Sequence, residues 1–234
     1  MTIGILQTGH PPEALQVRWG TYPDMIRTML GRDRTYRIYD VQAGEFPVEP
    51  TECAAYVITG SEAGVYDDLP WIAPLLSFLR KAHGKSKLIG LCFGHQAMAE
   101  AFGGTVAKSP RGWGLGIHRY SIVEPPPGMV EPSGFAIPAF HQDQVATLPP
   151  GARVLAASPF TPFAAIGYDD DTVSVQGHPE FSLAFCAAMI EEQRDLYGAL
   201  ADPALLSLLQ PDDGKRVADW FRSFIDGGGL DTPG

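Results

Sequence analysis

Lys87-Leu88-Ile89-Gly90-Leu91-Cys92-Phe93-Gly94-His95-Gln96 reads as a strand that turns abruptly into a helix. Leu88, Ile89 and Leu91 form the short apolar run of a buried strand. Gln96-Ala97-Met98-Ala99-Glu100-Ala101-Phe102 follows as a run of helix formers, stopped by Gly103-Gly104. Cys92 stands at the corner, with Gly90 two residues before it and Gly94 two after. At a strand-to-helix elbow the backbones crowd and the central residue takes a strained dihedral, so bulky neighbours do not fit at those two places. The G-x-S-x-G pattern thus carries a thiol in place of a hydroxyl. A thiol at a helix N-terminus feels the positive end of the dipole, which favours thiolate. The competing reading makes Cys92 a small buried hydrophobe and the glycines turn punctuation.

Val173-Ser174-Val175-Gln176-Gly177-His178-Pro179-Glu180 is a second short strand with a histidine at its end. Extended residues i and i+2 point to one side. His178 and Glu180 can therefore lie together, the carboxylate fixing the imidazole tautomer while the other nitrogen faces a thiol. A Cys92-His178-Glu180 triad is then available. Taken singly, His178 could be a satisfied turn histidine and Glu180 a helix-start carboxylate, but those readings leave the elbow unexplained.

The two motifs in this order resemble those of the class I glutamine amidotransferases, the triad-type glutaminase domains, and are closest to the branch related to the glutaminase domain of GMP synthetase. The resemblance covers roughly Tyr56 to Phe185. It implies Cys92 as nucleophile, His178 as base and Glu180 as its orienter. It also implies an oxyanion hole from the amides of Gly60, in Val57-Ile58-Thr59-Gly60-Ser61, and Phe93. Gln96 matches a substrate-contact glutamine. Phe140-His141-Gln142-Asp143-Gln144-Val145 resembles the family's His-x-Asp stretch, which makes His141, Gln142 and Asp143 candidate contacts to the amino-acid end of the substrate. Phe140 and Gln142 stand where synthetase-linked relatives often carry smaller residues.

The rest of the chain fits one α/β domain over residues 1–234, with the motif-bearing core at about 54–186 and a helical extension at about 198–226. Met1 to Gly9 reads as the first strand, and Pro12 to Gly31 as a broken helical stretch with Met25, Ile26, Met29 and Leu30 facing the core. Tyr36 to Val41 and Ala54 to Thr59 are further strands. Asp67, Asp68 and Pro70 open a helix that buries Trp71, Leu75, Leu76 and Leu79. Strands alternating with helices predict a mostly parallel central sheet. Together with the resemblance, that means a three-layer α/β/α, flavodoxin-like architecture with a nucleophile elbow. Phe181 to Tyr197 is expected to be one helix with Phe181, Phe185 and Met189 on a stripe. Pro125 to Pro132 is a turn-rich connector. Val217, Trp220, Phe221, Phe224 and Ile225 mark an amphipathic final helix that docks on its own core, and Gly227-Gly228-Gly229 and the residues after it should fray.

A net charge of −10 argues against a nucleic-acid surface, where phosphates would want a basic stripe. No apolar run approaches bilayer length, and no leader is evident. Cys53, Cys92 and Cys186 form no C-x-x-C pair, so neither a disulfide framework nor a zinc ribbon is indicated and a reducing cytoplasm is the simplest setting. Arg111-Gly112-Trp113-Gly114-Leu115-Gly116 lacks the strand, helix and lysine of a phosphate loop and reads as entry to an Ile117 to Val123 strand. Trp113 there could wall a pocket or simply pack. Asp169-Asp170-Asp171 reads as a solvated hairpin turn, because consecutive residues cannot all face one ion. No cofactor and no metal are expected. An α/β-hydrolase with a cysteine nucleophile is disfavoured because its acid would come well before the histidine. Cys92 with His95 makes only half a zinc motif, and His95, on the elbow's own helix, is a poorly placed rival base. The expected chemistry is cleavage of the γ-amide of glutamine through a cysteinyl thioester. A γ-glutamyl peptide or amide is the rival substrate and a non-catalytic binding module the remaining alternative. A separate synthetase subunit could take the ammonia, but a free-standing hydrolase is the expectation.

Overall fold

The computed structural model describes residues 1–129 and 132–227. Its strands are β1 (Thr2–Gln7), β2 (Thr35–Asp40), β3 (Ala55–Ile58), β4 (Lys87–Leu91), β5 (Thr105–Lys108), β6 (Gly114–Ile122), β7 (Phe135–His141), β8 (Asp143–Thr147), β9 (Arg153–Ala157), β10 (Ala165–Asp169) and β11 (Thr172–Val175). Its helices are α1 (Glu13–Trp19), α2 (Tyr22–Leu30), α3 (Ile72–Ala82), α4 (Phe93–Ala101), α5 (Leu183–Glu192), α6 (Arg194–Tyr197), α7 (Ala201–Ser207) and α8 (Gly214–Asp226).

Nine strands form one sheet in the order β2-β1-β3-β4-β11-β10-β9-β6-β7. The first five are parallel, in the strand order of a flavodoxin-like doubly wound fold. From β11 outward every neighbouring pair is antiparallel. The parallel half is as expected. In the antiparallel half no crossover helix intervenes between successive strands among the described residues, and the tight turn at Asp169-Asp170-Asp171 joins β10 to β11 directly. Strands β3 and β11 are buried throughout and β4 from Leu88 on, as strands covered on both faces must be. One layer of core lies under α2 and α8, with Ile3, Ile5, Val57 and Ile89. The other lies under α3 and α4, with Leu6, Tyr56, Leu75 and Leu88.

Three local expectations change. Helix α3 begins at Ile72, and its N-cap Trp71 makes no side-chain cap bond; Asp67 instead accepts from the Gly64 amide at 2.8 Å. Phe181 to Tyr197 is not one helix: Ser182 caps α5 by accepting from Phe185 N at 3.2 Å, which leaves Phe181 outside, and the chain breaks at Gln193 before α6. The strand entered from the glycine-rich loop starts earlier, at Gly114, because that stretch pairs with β7 from His141 onward.

The final helix docks as expected. Val217, Trp220, Phe221, Phe224 and Ile225 are all buried, the indole N–H donates to Pro127 O at 2.8 Å, and Arg34 grips Asp226 through two hydrogen bonds of 2.7 and 2.6 Å. Gly227 closes α8 in the left-handed region at φ 76°, which glycine enters without a Cβ penalty. Positions 130–131 of the expected connector and 228–234 of the expected fraying end lie outside the described residues. No helix among the described residues is long and apolar enough to cross a membrane.

Candidate active site

Cys92 sits between β4 and α4 at φ 49°, ψ −102°, and among the described residues no other non-glycine has a positive φ. Such a backbone costs about 1–3 kcal/mol and persists only where its surroundings over-determine it. Here they do. Cys92 N donates to Val175 O at 3.0 Å, Gly94 N donates to Thr59 O at 3.1 Å, and Gln96 N closes the first helical turn on Cys92 O at 3.1 Å. The flanking glycines are steric necessities: a Cβ on Gly94 would lie 2.4 Å from Ile58 O, and one on Gly90 would lie 2.7 Å from the Gly94 carbonyl.

His178 and Glu180 come together as expected. His178 Nδ1 lies 2.8 Å from Glu180 Oε1 with both side chains almost wholly buried, 4% and 2% exposed. They meet across a turn containing Pro179 rather than along an extended strand, and the His178 amide donates to Pro138 O at 2.8 Å, tying that turn to β7. Burial opposes charge on the imidazole, but the charges of Cys92 and Glu180 outweigh it and raise His178 to about 10. The imidazole is further held by Phe181, whose ring lies parallel to it.

Gly60 follows β3 and faces both groups: a Cβ there would lie 2.9 Å from His178 Cε1 and 3.8 Å from Cys92 Cβ. Its loop is pinned by two buried threonines, with Thr8 N donating to Thr59 Oγ1 at 2.9 Å and Thr8 Oγ1 donating to Thr59 O at 2.9 Å. Phe93, the first residue of α4 and the neighbour of Cys92 in the chain, packs its ring on Trp71, centroids 5.4 Å apart. No hydrogen bond to the amides of Gly60 or Phe93 occurs among the described residues.

These groups open into a cavity of about 680 Å³, lined by Cys92, His178, Gly60 and Gln96 together with His141, Gln142 and Asp143. Gln96 Nε2 donates to Asp143 O at 2.9 Å. The Asp143 carboxylate accepts from Tyr66 OH at 2.8 Å through Oδ2, while its Oδ1 is buried with no partner among the described residues. The chain leaves the large sheet at Gln142 and enters the small β5-β8 sheet at Asp143, where Lys108 stands directly opposite in the ladder. Lys108 is the only lysine or arginine lining the cavity among the described residues. The His141 ring packs near Phe160 and is pushed down to about 3 by burial, next to His118.

His95 is not at the site. It is fully buried on the far side of α4, with Nδ1 2.8 Å from Ser174 Oγ, and burial lowers it to about 3. Among the described residues no group of three or more His, Cys, Asp or Glu is placed to hold a metal ion. Cys53, Cys92 and Cys186 are all free and buried.

Two features escaped the reading of the sequence. Gln176 is buried, with Nε2 3.7 Å from Cys92 Sγ; its place directly after β11 and two residues before His178 was its available signal. Tyr22 stacks on Phe181 with centroids 5.5 Å apart. It is the first residue of α2, placed by the Thr21–Asp24 capping box, and nothing local marks it as a cavity residue. Trp113 both walls the cavity and packs, edge-on to Tyr197 at 5.3 Å.

The family model described as "Glutamine amidotransferase class-I" matches residues 48–192. A glutamine amidotransferase-like protein of Schizosaccharomyces pombe is 29% identical over 82% of this chain and 84% of its own. Gamma-glutamyl peptidase 4 of Arabidopsis thaliana is 32% identical over 70% of this chain and 69% of its own. Among solved structures, a glutamine amidotransferase from Thermotoga maritima superposes with a TM-score of 0.73, covering 97% of this chain and 96% of that one at 19% identity, a likeness of fold.

Proposed function

Because the chain belongs to the class I glutamine amidotransferase family, we propose that it is a cysteine hydrolase of γ-glutamyl amide bonds, acting as one domain over residues 1–234 and without a synthetase. Cys92 thiolate attacks the γ-carbonyl carbon and forms a C–S bond. The amides of Gly60 and Phe93 donate to the oxyanion. His178, held by Glu180, gives its proton to the leaving nitrogen as the C–N bond breaks, leaving a γ-glutamyl thioester. Water then loses a proton to His178, adds to the thioester carbonyl and releases glutamate and the thiolate.

The amino-acid end of the substrate fits the polar side of the cavity. The unpartnered Asp143 Oδ1 suits an α-ammonium, and Lys108 opposite suits an α-carboxylate. Gln96 and the His141-Gln142 corner frame that end.

The observation that carries this reading is a thiol on a strained elbow that lines the same open cavity as an imidazole tied to a buried carboxylate. Glutamine, the nominal substrate of the family, is a second candidate. A γ-glutamyl peptide is favoured because the cavity falls in the size range that takes ligands well larger than one amino acid, about 300–1,000 Å³. The docked α8 supports action without a partner, since its apolar face is spent on its own core. Three buried free thiols fit a reducing, cytoplasmic setting.

The test is steady-state release of glutamate by the purified protein from glutamine and from γ-glutamyl dipeptides, with Cys92→Ala as control. Turnover that is lost in Cys92→Ala by at least about 10⁴-fold supports the scheme. Normal turnover in Cys92→Ala refutes it, and release that appears only when a separate synthetase is added refutes independent action.

A further inference from the structure

We propose that the cavity contains a leaving-group pocket for large apolar or aromatic amines, so that the preferred substrates are γ-glutamyl amides of aromatic or bulky aliphatic amino acids or amines. This rests on γ-glutamyl hydrolysis at Cys92 as proposed above.

The argument starts from where the leaving group must go. Its nitrogen receives a proton from His178, so it lies within hydrogen-bond reach of that imidazole, on the His178 side of the thiol. That side is aromatic. Phe181 stacks on His178 with centroids 4.1 Å apart and planes 7° from parallel. Tyr22 stacks on Phe181 in turn, at 5.5 Å, and Phe140 stands edge-on to both His178 and Phe181, at 6.3 and 6.1 Å. Beyond them the cavity wall continues through Met189, Tyr197 and Trp113.

The wall is built rather than incidental. Tyr22, Phe181, Met189 and Tyr197 are 5 to 9% exposed and belong to one buried cluster against which Trp113 and Phe140 pack. Tyr197 is fixed at its far end by donating its hydroxyl to Gln193 Oε1 at 2.5 Å. Leu196, 60% exposed, lies at the rim.

Three polar groups of the cavity gather away from that wall. Gln96, Asp143 and Lys108 are joined by the β5-β8 ladder and the Gln96 to Asp143 hydrogen bond. They are suited to the zwitterionic glutamyl end, leaving the aromatic side to the departing group. Ammonia would touch none of that wall and would leave it facing water, whereas an aromatic or branched side chain on the leaving amine buries apolar surface against it.

The experiment measures kcat/KM of the purified protein for glutamine, γ-Glu-Gly, γ-Glu-Leu and γ-Glu-Phe. The expected result is at least about tenfold higher values for γ-Glu-Leu and γ-Glu-Phe than for γ-Glu-Gly and glutamine, the scale of discrimination an apolar pocket supplies. Trp113→Ala should pull the γ-Glu-Phe to γ-Glu-Gly ratio below about three. Leu196→Asp, at an exposed position that tolerates change, should lower the same ratio if the tryptophan variant does not fold. Equal turnover of all four substrates, or a γ-Glu-Phe preference that neither variant alters, overturns the leaving-group pocket while γ-glutamyl hydrolysis stands. No turnover of any of the four overturns the hydrolase reading, and the pocket with it.

Discussion

The imidazole of His178 and the ring of Phe181 lie face to face, centroids 4.1 Å apart and planes inclined by 7°. Glu180 holds the imidazole through Nδ1 at 2.8 Å, and Phe181 covers one of its faces. Phe181 is itself placed by the Ser182 cap that follows it and by edge contact with Phe185 at 4.8 Å. Stacking of this kind is worth about 0.5–1.5 kcal/mol beyond burial.

Measured with glutamine, whose leaving ammonia does not reach the aromatic wall, Phe181→Leu is therefore expected to lower kcat by about 2- to 13-fold, the rate equivalent of that energy, with KM nearly unchanged, while Phe181→Tyr keeps most of the rate. An aromatic face also favours the imidazolium. The basic limb of the pH profile should accordingly move to lower pH in Phe181→Leu. Steady-state kinetics across pH checks both, and an effect confined to KM would assign Phe181 to substrate binding alone.

Stability should fall on both sides of neutrality, for opposite reasons. His178 is raised from 6.5 to about 10 in the folded protein, so the fold holds a proton that the unfolded chain releases. Its contribution is fully present below 6.5 and is lost as pH rises towards 10. His95 and His141 are lowered to about 3 by burial, so the unfolded chain binds protons that the fold does not. Their contribution is present above 6.5 and is lost as pH falls towards 3. Thermal unfolding from pH 4 to pH 10 is expected to show a maximum near neutrality. Glu180→Gln should flatten the alkaline limb and leave the acid limb in place; an unchanged alkaline limb would contradict the assignment.

Two glycines near the thiol should fail differently. At Gly60 an added Cβ meets the Cε1 atom of His178, a side-chain atom that can shift, whereas at Gly94 it meets the Ile58 carbonyl at 2.4 Å, which cannot. Gly60→Ala should fold to within about 1 kcal/mol of wild type but lose about 10²-fold or more in kcat through displacement of the base. Gly94→Ala should cost about 3 kcal/mol or more in overpacking. Denaturation midpoints with activity measurements separate the two, and a fully active Gly60→Ala protein would show that the imidazole is not where the scheme needs it.

Trp220 is 2% exposed and carries its own hydrogen bond to Pro127 O. Trp220→Ala is expected to cost about 3–5 kcal/mol, a drop in Tm on the order of 10 °C. A loss near zero would free α8 for a partner and reopen the question of a synthetase.

The elbow was legible because its cause is local. Gly90, Cys92 and Gly94 are within one turn of each other, and the crowding that selects glycine acts between adjacent segments whatever the rest of the chain does. The final helix was legible for a similar reason, its apolar stripe needing a core and finding its own. The helix expected from Phe181 to Tyr197 was misread at its start and in its continuity through Gln193, because periodicity registers which residues are apolar and does not separate a helical Phe from one capped off by Ser182.

From sequence alone followed the elbow, the pairing of His178 with Glu180 two residues apart, the parallel half of the sheet and the burial of α8, each a matter of short-range sterics or of one element's own pattern. Only the tertiary structure decided that Tyr22 and Phe140, carried by distant parts of the chain, meet Phe181 where it stacks on one imidazole, and that His95 turns away to Ser174. Sheet order and crossover set those meetings, and a pattern of polar and apolar residues states what each element must bury but not which partner will cover it.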